Sequence, residues 1–415
     1  MMAIVHGIFG LICFILLAVA LSENRRAIKL KLILIGLAVQ ILLALLLSRV
    51  HFVIDIFTQI NQAVLALNAA TMQGTAFVFG YIGGGELPFK ADGPGSTFSL
   101  AFQAMPLVIV ISAISSILFY LRILPVAIKG IAWFVGRTLH IGGALAVAVS
   151  ANLFIGMAES PLVIRPYLSQ LTRSELFTLM TCGMAGVAGT VMALYVIILN
   201  PIIPNVMTHV IAAVLISLPA VAVISRIIVP ETLPETAGQE IHVEESLGII
   251  DSLIKGVKVG GEVFVSIILM LLTLVAIVAF INHLLGLLPA VHGQPLSLAY
   301  LLGFVFEPFM WLMGIPWHEA HLAGELMASR MVTNELVSYG QMAAMPTGSL
   351  DARSQLMLLY SMCGFANFSG LGIMLAAYNV LIPARRKEFI GLGLKALLAG
   401  TICTCMTGTI IGMLS

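Results

Sequence analysis

The stretch Ser150–Pro166, SANLFIGMAESPLVIRP, decides how the rest of the chain is read. It is apolar enough to lie in a membrane, yet it carries Asn152, Glu159 and Arg165, with Pro161 directly after Glu159-Ser160. A carboxylate inside lipid costs about 3 kcal/mol or more, so by default it faces protein partners or a water-filled cavity. A proline at that point breaks a helix and frees backbone carbonyls, which is tolerated at membrane depth only beside protein or water. The stretch therefore predicts the tip of a re-entrant hairpin, where backbone and side chains meet a polar solute. The competing reading is an ordinary kinked span with one stray acid.

The composition supports the membrane setting. The chain has 415 residues, 60% hydrophobic and 9% charged, which no soluble domain matches. A net charge of +1 argues against a nucleic-acid partner. Cys13, Cys182, Cys363, Cys403 and Cys405 all fall in apolar segments and read as small core residues, not as a disulfide frame or a metal site. The first apolar run ends in a signal-like Ala18-Val19-Ala20. No positive region precedes it, so a retained transmembrane helix is expected.

Outward from the hairpin, apolar runs predict eight spans: 3–21, 32–47, 99–121, 174–199, 206–228, 265–288, 354–382 and 389–414. Residues 51–78 mix Asp55, Gln59, Asn61 and Gln62 with apolar residues and read as an amphipathic helix lying along the surface. A turn-rich loop follows, from Gly83-Gly84-Gly85 to Pro94-Gly95. Arg25, Arg26 and Lys29 make the first loop cytoplasmic, and both termini then fall outside; most of the twenty Lys/Arg lie on the cytoplasmic side. Residues 230–248 form a polar linker with five glutamates, read as a solvated surface segment. The apolar stretch 296–315 has Glu307 before Pro308.

The opening pattern then returns. Pro316 to Tyr339 is a second polar hairpin, with Glu325, Arg330, Asn334 and Glu335, entered from the opposite side. Each hairpin precedes a glycine-interrupted span: Gly183, Gly186 and Gly189 in one, Gly364, Gly370 and Gly372 in the other. The order hairpin, broken helix, helix thus occurs twice with opposite entry. Such an inverted repeat with discontinuous helices points to a secondary transporter with its site near the midplane. The expected fold is an all-α polytopic membrane protein of eight transmembrane helices and two re-entrant hairpins.

The hairpin tips offer Asn152, Glu159, Asn334 and Glu335, and the broken spans offer Asn367 and Ser369. Carboxylates and amides together suit a neutral solute rich in hydroxyls and amides, such as a sugar or nucleobase. A strongly anionic solute would need a cation at the tips, and Arg330 lies off the tip. Phe154, Phe365 and Phe368 are candidates to stack on a ring, set against simple packing. His318-Glu319-Ala320-His321 suggests an intramembrane metalloprotease only superficially. The zinc signature needs histidines four apart, and these are three apart with no third ligand.

The motifs Gly74 to Gly80, Ala151-Asn152 to Gly156, Glu159-Ser160-Pro161-Leu162, Gly324-Glu325-Leu326, Asn334-Glu335-Leu336-Val337 and Cys363-Gly364-Phe365-Ala366-Asn367 resemble the concentrative nucleoside transporter family over roughly residues 75 to 412. The resemblance implies a homotrimer with an elevator mechanism in a bacterial inner membrane. It implies a scaffold of residues 1–137 and 230–315, and a transport part of residues 138–229 and 316–415. Met157, Ala158 and Glu159 would read the nucleobase, with Val191 beside them. Asn334, Glu335, Phe365, Asn367 and Gly370 would complete the nucleoside site. Asn152, Ile155, Gly186 and Val187 would hold sodium, with no other cofactor and no nucleic-acid partner. The chain departs from the family pattern at three places: Met157-Ala158 replaces a common Gln-Thr, Gly370 a serine, and Gly186 a Ser or Thr whose hydroxyl is expected at the sodium site. Proton coupling through Glu159 or Glu335 is the competing expectation, and a modified nucleoside or free nucleobase the alternative cargo.

Overall fold

A computed structural model describes residues 2–90, 97–139, 141–238, 246–289 and 295–415. The expected turn at Pro94-Gly95 and three linker glutamates, Glu240, Glu244 and Glu245, lie outside these residues. Among the described residues every regular element is helical.

Three helices open the chain: α1 (Met2–Ala20), α2 (Leu30–Arg49) and α3 (His51–Phe79). The sequence places α3 along the surface, yet by length and composition Phe52–Gly83 also suffices to cross a membrane. Phe52, Ile56, Ile60 and Phe77 are exposed along it. A short π turn, Leu100–Ala104, leads into α4 (Leu107–Tyr120).

From α4 onward one arrangement is used twice. First come α4, then α5 (Ile123–Leu139), then a hairpin of α6 (Gly143–Ile155) and the 3-10 segment Ser160–Tyr167. A helix broken into α7 (Arg173–Ala185) and α8 (Gly189–Leu199) follows, then α9 (Val206–Ile228). The second set is α10 (Ile249–Leu285), α11 (Leu298–Met313), the hairpin α12 (Trp317–Val332) and α13 (Glu335–Ala344), broken helix α14 (Ala352–Met362) and α15 (Phe368–Leu381), and α16 (Arg386–Leu414). The sequence reading finds the hairpins and breaks but misses a matching pair, α5 and α11. By sequence, the span ending at Leu121 is followed by Arg122, Lys129 and Arg137, which mark the cytoplasmic side, and no helix is expected over residues 123–139. They form an amphipathic helix that buries Leu124, Ile128, Val135 and Leu139 on one face.

Helix ends follow local chemistry. Thr172 caps α7 by accepting the Glu175 N–H at 3.0 Å, and the Glu175 carboxylate accepts the Thr172 N–H at 2.9 Å. This reciprocal pair satisfies two otherwise orphaned donors. Glu175 also accepts from Thr236 N–H at 2.8 Å, and Thr172 donates to Glu231 at 2.6 Å. Glu235 pairs with Arg226. The start of the acidic linker is therefore docked on α7 and α9, contrary to the expectation of plain solvation.

The core sits where the two broken helices meet α9 and α16. Nearly all of α9 is buried, whereas along α10 only Ser252, Gly256 and Gly260 are. α10 is thus peripheral, held by α4. Gly256 and Gly260, four apart, face α4. A Cβ at either would come within 2.6 Å or 2.7 Å of the Ala113 or Ile109 Cα, so only glycine permits this approach. α1 and α2 lie along α16 and α9.

Candidate functional site

The centre is built where the breaks of the two interrupted helices touch. The Phe365 N–H donates to the Gly186 carbonyl at 3.2 Å. A Cβ at Gly364 would stand 2.8 Å from the Ala185 carbonyl oxygen, so the backbones meet directly. Breaks of this kind expose N–H groups at one helix start and carbonyls at the other helix end.

Glu335, the first residue of α13, is 2% exposed and lies at this junction. Asn367 donates from Nδ2 to Glu335 Oε2 at 2.9 Å. Tyr195 of α8 donates its hydroxyl to Oε1 at 3.0 Å. The carboxylate thus joins the second hairpin to both broken helices. Asn367 does two jobs, because its Oδ1 also accepts the Gly370 N–H at 2.6 Å and caps α15. Asn334 caps α13 through Oδ1, accepting the Val337 N–H at 3.1 Å. Its oxygen is therefore committed to the backbone.

Sequence reasoning missed Tyr195, which stacks edge-on against Tyr339 with ring centroids 5.0 Å apart. A tyrosine inside an apolar span carries no motif; only its hydroxyl, which needs a partner when buried, hints at such a role. It also left Arg330 without a role. The side chain is fully buried and donates to the Gly364 carbonyl at 3.0 Å, while its Nε has no partner among the described residues. It forms no ion pair there, but its charge acts through space on Glu335. A buried guanidinium at the end of the carbonyl-rich break fixes the geometry of the second broken helix.

The first hairpin supplies the other half. Asn152 is buried near the end of α6 and donates from Nδ2 to the Cys182 carbonyl at 3.2 Å. Its Oδ1 is buried with no partner among the described residues. An acceptor left this way costs about 1–3 kcal/mol unless a donor or cation meets it. Gly186 is closely overlaid: a Cβ there would lie 2.5 Å from Asn152 Nδ2 and 2.9 Å from the Cys182 oxygen. A larger side chain at 186 would need Asn152 to move. Ile155 ends α6 and is half-buried, and Val187 is buried within the break.

Met157 is buried beside α7: a Cβ at Gly183 would lie 2.9 Å from its Cβ and 3.5 Å from Met374 Sδ. Ala158 and Glu159 are half-buried at the tip, and Glu262 of α10 is an acidic neighbour that acts on Glu159 through space. Val191 is buried in the first turn of α8. Gly370 is hemmed in: a Cβ would come within 2.4 Å of the Phe365 carbonyl oxygen. Phe365 and Phe154 are half-buried, and Phe368 is 50% exposed; none has a ring partner among the described residues.

The two histidines of the zinc-like motif do not converge. His321 lies between Glu307 and Glu325, at 3.2 Å from each, whereas the His318 side chain is 78% exposed.

Comparison with known proteins gives this geometry its context. The family model described as Na+ dependent nucleoside transporter C-terminus matches residues 209–412, and its N-terminal counterpart matches residues 9–82. A nucleoside recognition (Gate) model matches residues 101–202. The chain is 32% identical to the uncharacterized transporter YutK of Bacillus subtilis, over 99% of this chain and 100% of the relative. It is 29% identical to the nucleoside permease NupC of Helicobacter pylori, over 98% of this chain and 97% of that one. The solved structure of CNTnw in an inward-facing substrate-bound state superposes with a TM-score of 0.90 at 30% identity, covering 100% of this chain and 99% of that chain. With its repeated hairpins and crossed breaks, the chain belongs to the Na+ dependent, concentrative nucleoside transporter family.

Proposed function

We propose that this chain is a secondary active importer carrying nucleosides across the cell inner membrane together with a cation, which we take to be sodium. The observation that carries the reading is the buried Glu335 carboxylate, gripped by Tyr195 and Asn367 where both broken helices and the second hairpin meet. Such a carboxylate accepts hydrogen bonds from the vicinal hydroxyls of a ribose and has no use for an anionic cargo. Glu159, Met157 and Ala158 face the base, with Val191 packing beside it. Asn334, Phe365 and Gly370 border the sugar end. Sodium sits by Asn152, using its partnerless Oδ1 and the backbone carbonyls of Ile155 and Val187, with Gly186 adding no hydroxyl.

The inverted repeat supports an elevator motion. In this reading the transport part, residues 138–229 and 316–415, moves against a scaffold of residues 1–137 and 230–315. The scaffold holds a homotrimer, and the exposed apolar face of α10, with Leu269, Leu272 and Phe280, suits lipid or a second copy. Both termini lie outside. A second reading, transport of a modified nucleoside or free nucleobase, is favoured by the crowding at Gly370, which leaves no room for a sugar-binding side chain there.

The test is uptake of labelled uridine and adenosine into proteoliposomes, under an inward sodium gradient alone and a proton gradient alone. Sodium-driven uptake competed by nucleosides and not by free bases is expected. Uptake driven only by protons would overturn the sodium assignment and move the coupling to Glu159 or Glu335. No uptake of either nucleoside under either gradient would overturn the cargo.

A further inference from the structure

Away from the transport site, α5 presents a cationic stripe that no acidic side chain among the described residues pairs with. Lys129, Trp133 and Arg137 are spaced i, i+4, i+8 and so share one side of the helix. All three are exposed, Trp133 to 66%. Neither cation has a hydrogen bond or ion pair among the described residues. Between this stripe and the start of α6 runs an open groove of about 640 Å³. Its floor is made of small and apolar residues, including Ala132, Gly136, Ala146 and Val147, and among the described residues no carboxylate lines it. On its other side α5 borders an apolar cleft of about 220 Å³ shared with α2 and α9.

We propose that this groove binds one anionic phospholipid, its phosphate held between Lys129 and Arg137 and an acyl chain laid along the small-residue floor. Three features favour a lipid over a dissolved anion or an acidic protein. The cations are flanked by exposed apolar side chains, Val126 at 68% and Ile123 at 53%, which water would disfavour. A tryptophan between two cations is the composition of the headgroup level of a bilayer. The positive-inside distribution puts α5 at the cytoplasmic face, where basic pockets between membrane helices meet anionic headgroups. Aligned eight residues apart, the two cations stand about 12 Å from each other along the axis, and long side chains converge on one headgroup from that spacing.

The groove's second wall is α6, the first limb of the hairpin that carries Asn152 and Glu159. A lipid seated there braces α6 against α5. Anionic lipid in the inner leaflet then becomes a factor in how the first hairpin is held, independent of what cargo the protein carries.

The full-length protein, purified in a neutral detergent, would be offered equimolar phosphatidylglycerol and phosphatidylcholine and weighed by native mass spectrometry. The wild type is expected to retain one phosphatidylglycerol in preference. The double variant Lys129→Ala/Arg137→Ala should bind it about 30-fold more weakly, from the per-cation attraction expected at a membrane surface. A second variant, Lys129→Gln/Arg137→Gln, keeps side-chain length and should lose binding equally. Replacing the exposed Arg386 and Lys387 by alanine should leave retention intact. Equal retention of both lipids by the wild type, undiminished phosphatidylglycerol binding in either groove variant, or the same loss from the Arg386/Lys387 change would each overturn the proposal. Melting temperatures in lipid-free detergent establish that the variants are folded.

Discussion

Replacing Glu335 by glutamine tests the site with the smallest change of shape. In the wild type both carboxylate oxygens already accept one bond, from Tyr195 at 3.0 Å and Asn367 at 2.9 Å. Each oxygen keeps lone pairs for a cargo hydroxyl. A glutamine must turn its carbonyl toward the Asn367 amide, since two NH2 groups cannot bond to each other as donors. Its own NH2 then faces Tyr195, whose hydroxyl must reverse to accept. One acceptor for cargo disappears and the other loses its charge. Charged hydrogen bonds contribute about 1.5–3 kcal/mol against about 1 for neutral ones, so two bonds weaken by about 2 kcal/mol together. That predicts a fall of about 30-fold in kcat/KM for uridine uptake, with the fold retained because the volume is unchanged. Uptake of 2′-deoxy- and 3′-deoxyuridine closes a double-mutant cycle: a missing hydroxyl should hurt the wild type and barely change the variant. A variant within threefold of wild type, or full additivity between the deoxy substrates and the substitution, would refute the role of Glu335 as the hydroxyl acceptor.

Three further outcomes follow from the packing and charges. Gly260→Leu drives a side chain into the α4 backbone, where a Cβ already comes within 2.7 Å of the Ile109 Cα; thermal unfolding in detergent should show a loss of about 1–3 kcal/mol, and an unchanged melting temperature would contradict the close approach. A Cβ at Gly36 of α2 would stand 3.6 Å from the Val223 Cβ of α9, a separation suited to a disulfide. With α2 in the scaffold, oxidising the Gly36→Cys/Val223→Cys pair should stop uptake and reduction should restore it; undiminished uptake would assign α1 and α2 to the moving part. In the first loop, hydrogen bonding to Arg173 and then Lys395 draws the Glu23 carboxyl from 4.5 down to about 2. A lowered value adds stability above pH 4.5 that is lost as pH falls toward 2. The side chains of its partners Arg173 and Lys395 are exposed and the cluster is screened by solvent, so the gain is held to about 1 kcal/mol or less. The melting-temperature gap between wild type and Glu23→Gln should close across that window, and a gap independent of pH would exclude it.

Much of this fold is readable in the sequence because membranes leave few options for polar residues. Glu159 and Glu335 in apolar context, each followed by an interrupted span, are expensive unless they face a site, and that cost marks both hairpins. The exact break is less legible. Gly183, Gly186 and Gly189 look alike in sequence, yet Gly183 is helical within α7 and the chain opens at Gly186–Ala188. Which glycine yields is settled by the crossing of Gly364 and Phe365 from the other broken helix, a contact between residues far apart in the chain. α5 was hidden for a different reason. Its Lys129 and Arg137 mark the cytoplasmic side by charge alone, and only the buried stripe of Ile128, Ala132, Val135 and Leu139 reveals a helix lying at an interface. Tyr195 and Arg330 were legible as residues but not as partners, because nothing local to either names the group it meets.

The most direct measurement is calorimetric titration of uridine into the purified protein, first in sodium and then in an equimolar inert cation. Linked binding requires that sodium tighten uridine and that uridine tighten sodium by the same factor. The account predicts that reciprocity in the wild type, with uridine binding lost or strongly weakened in Glu335→Gln. Uridine affinity unchanged by sodium would contradict a cation site beside the nucleoside, and no uridine binding in either salt would contradict the nucleoside site itself.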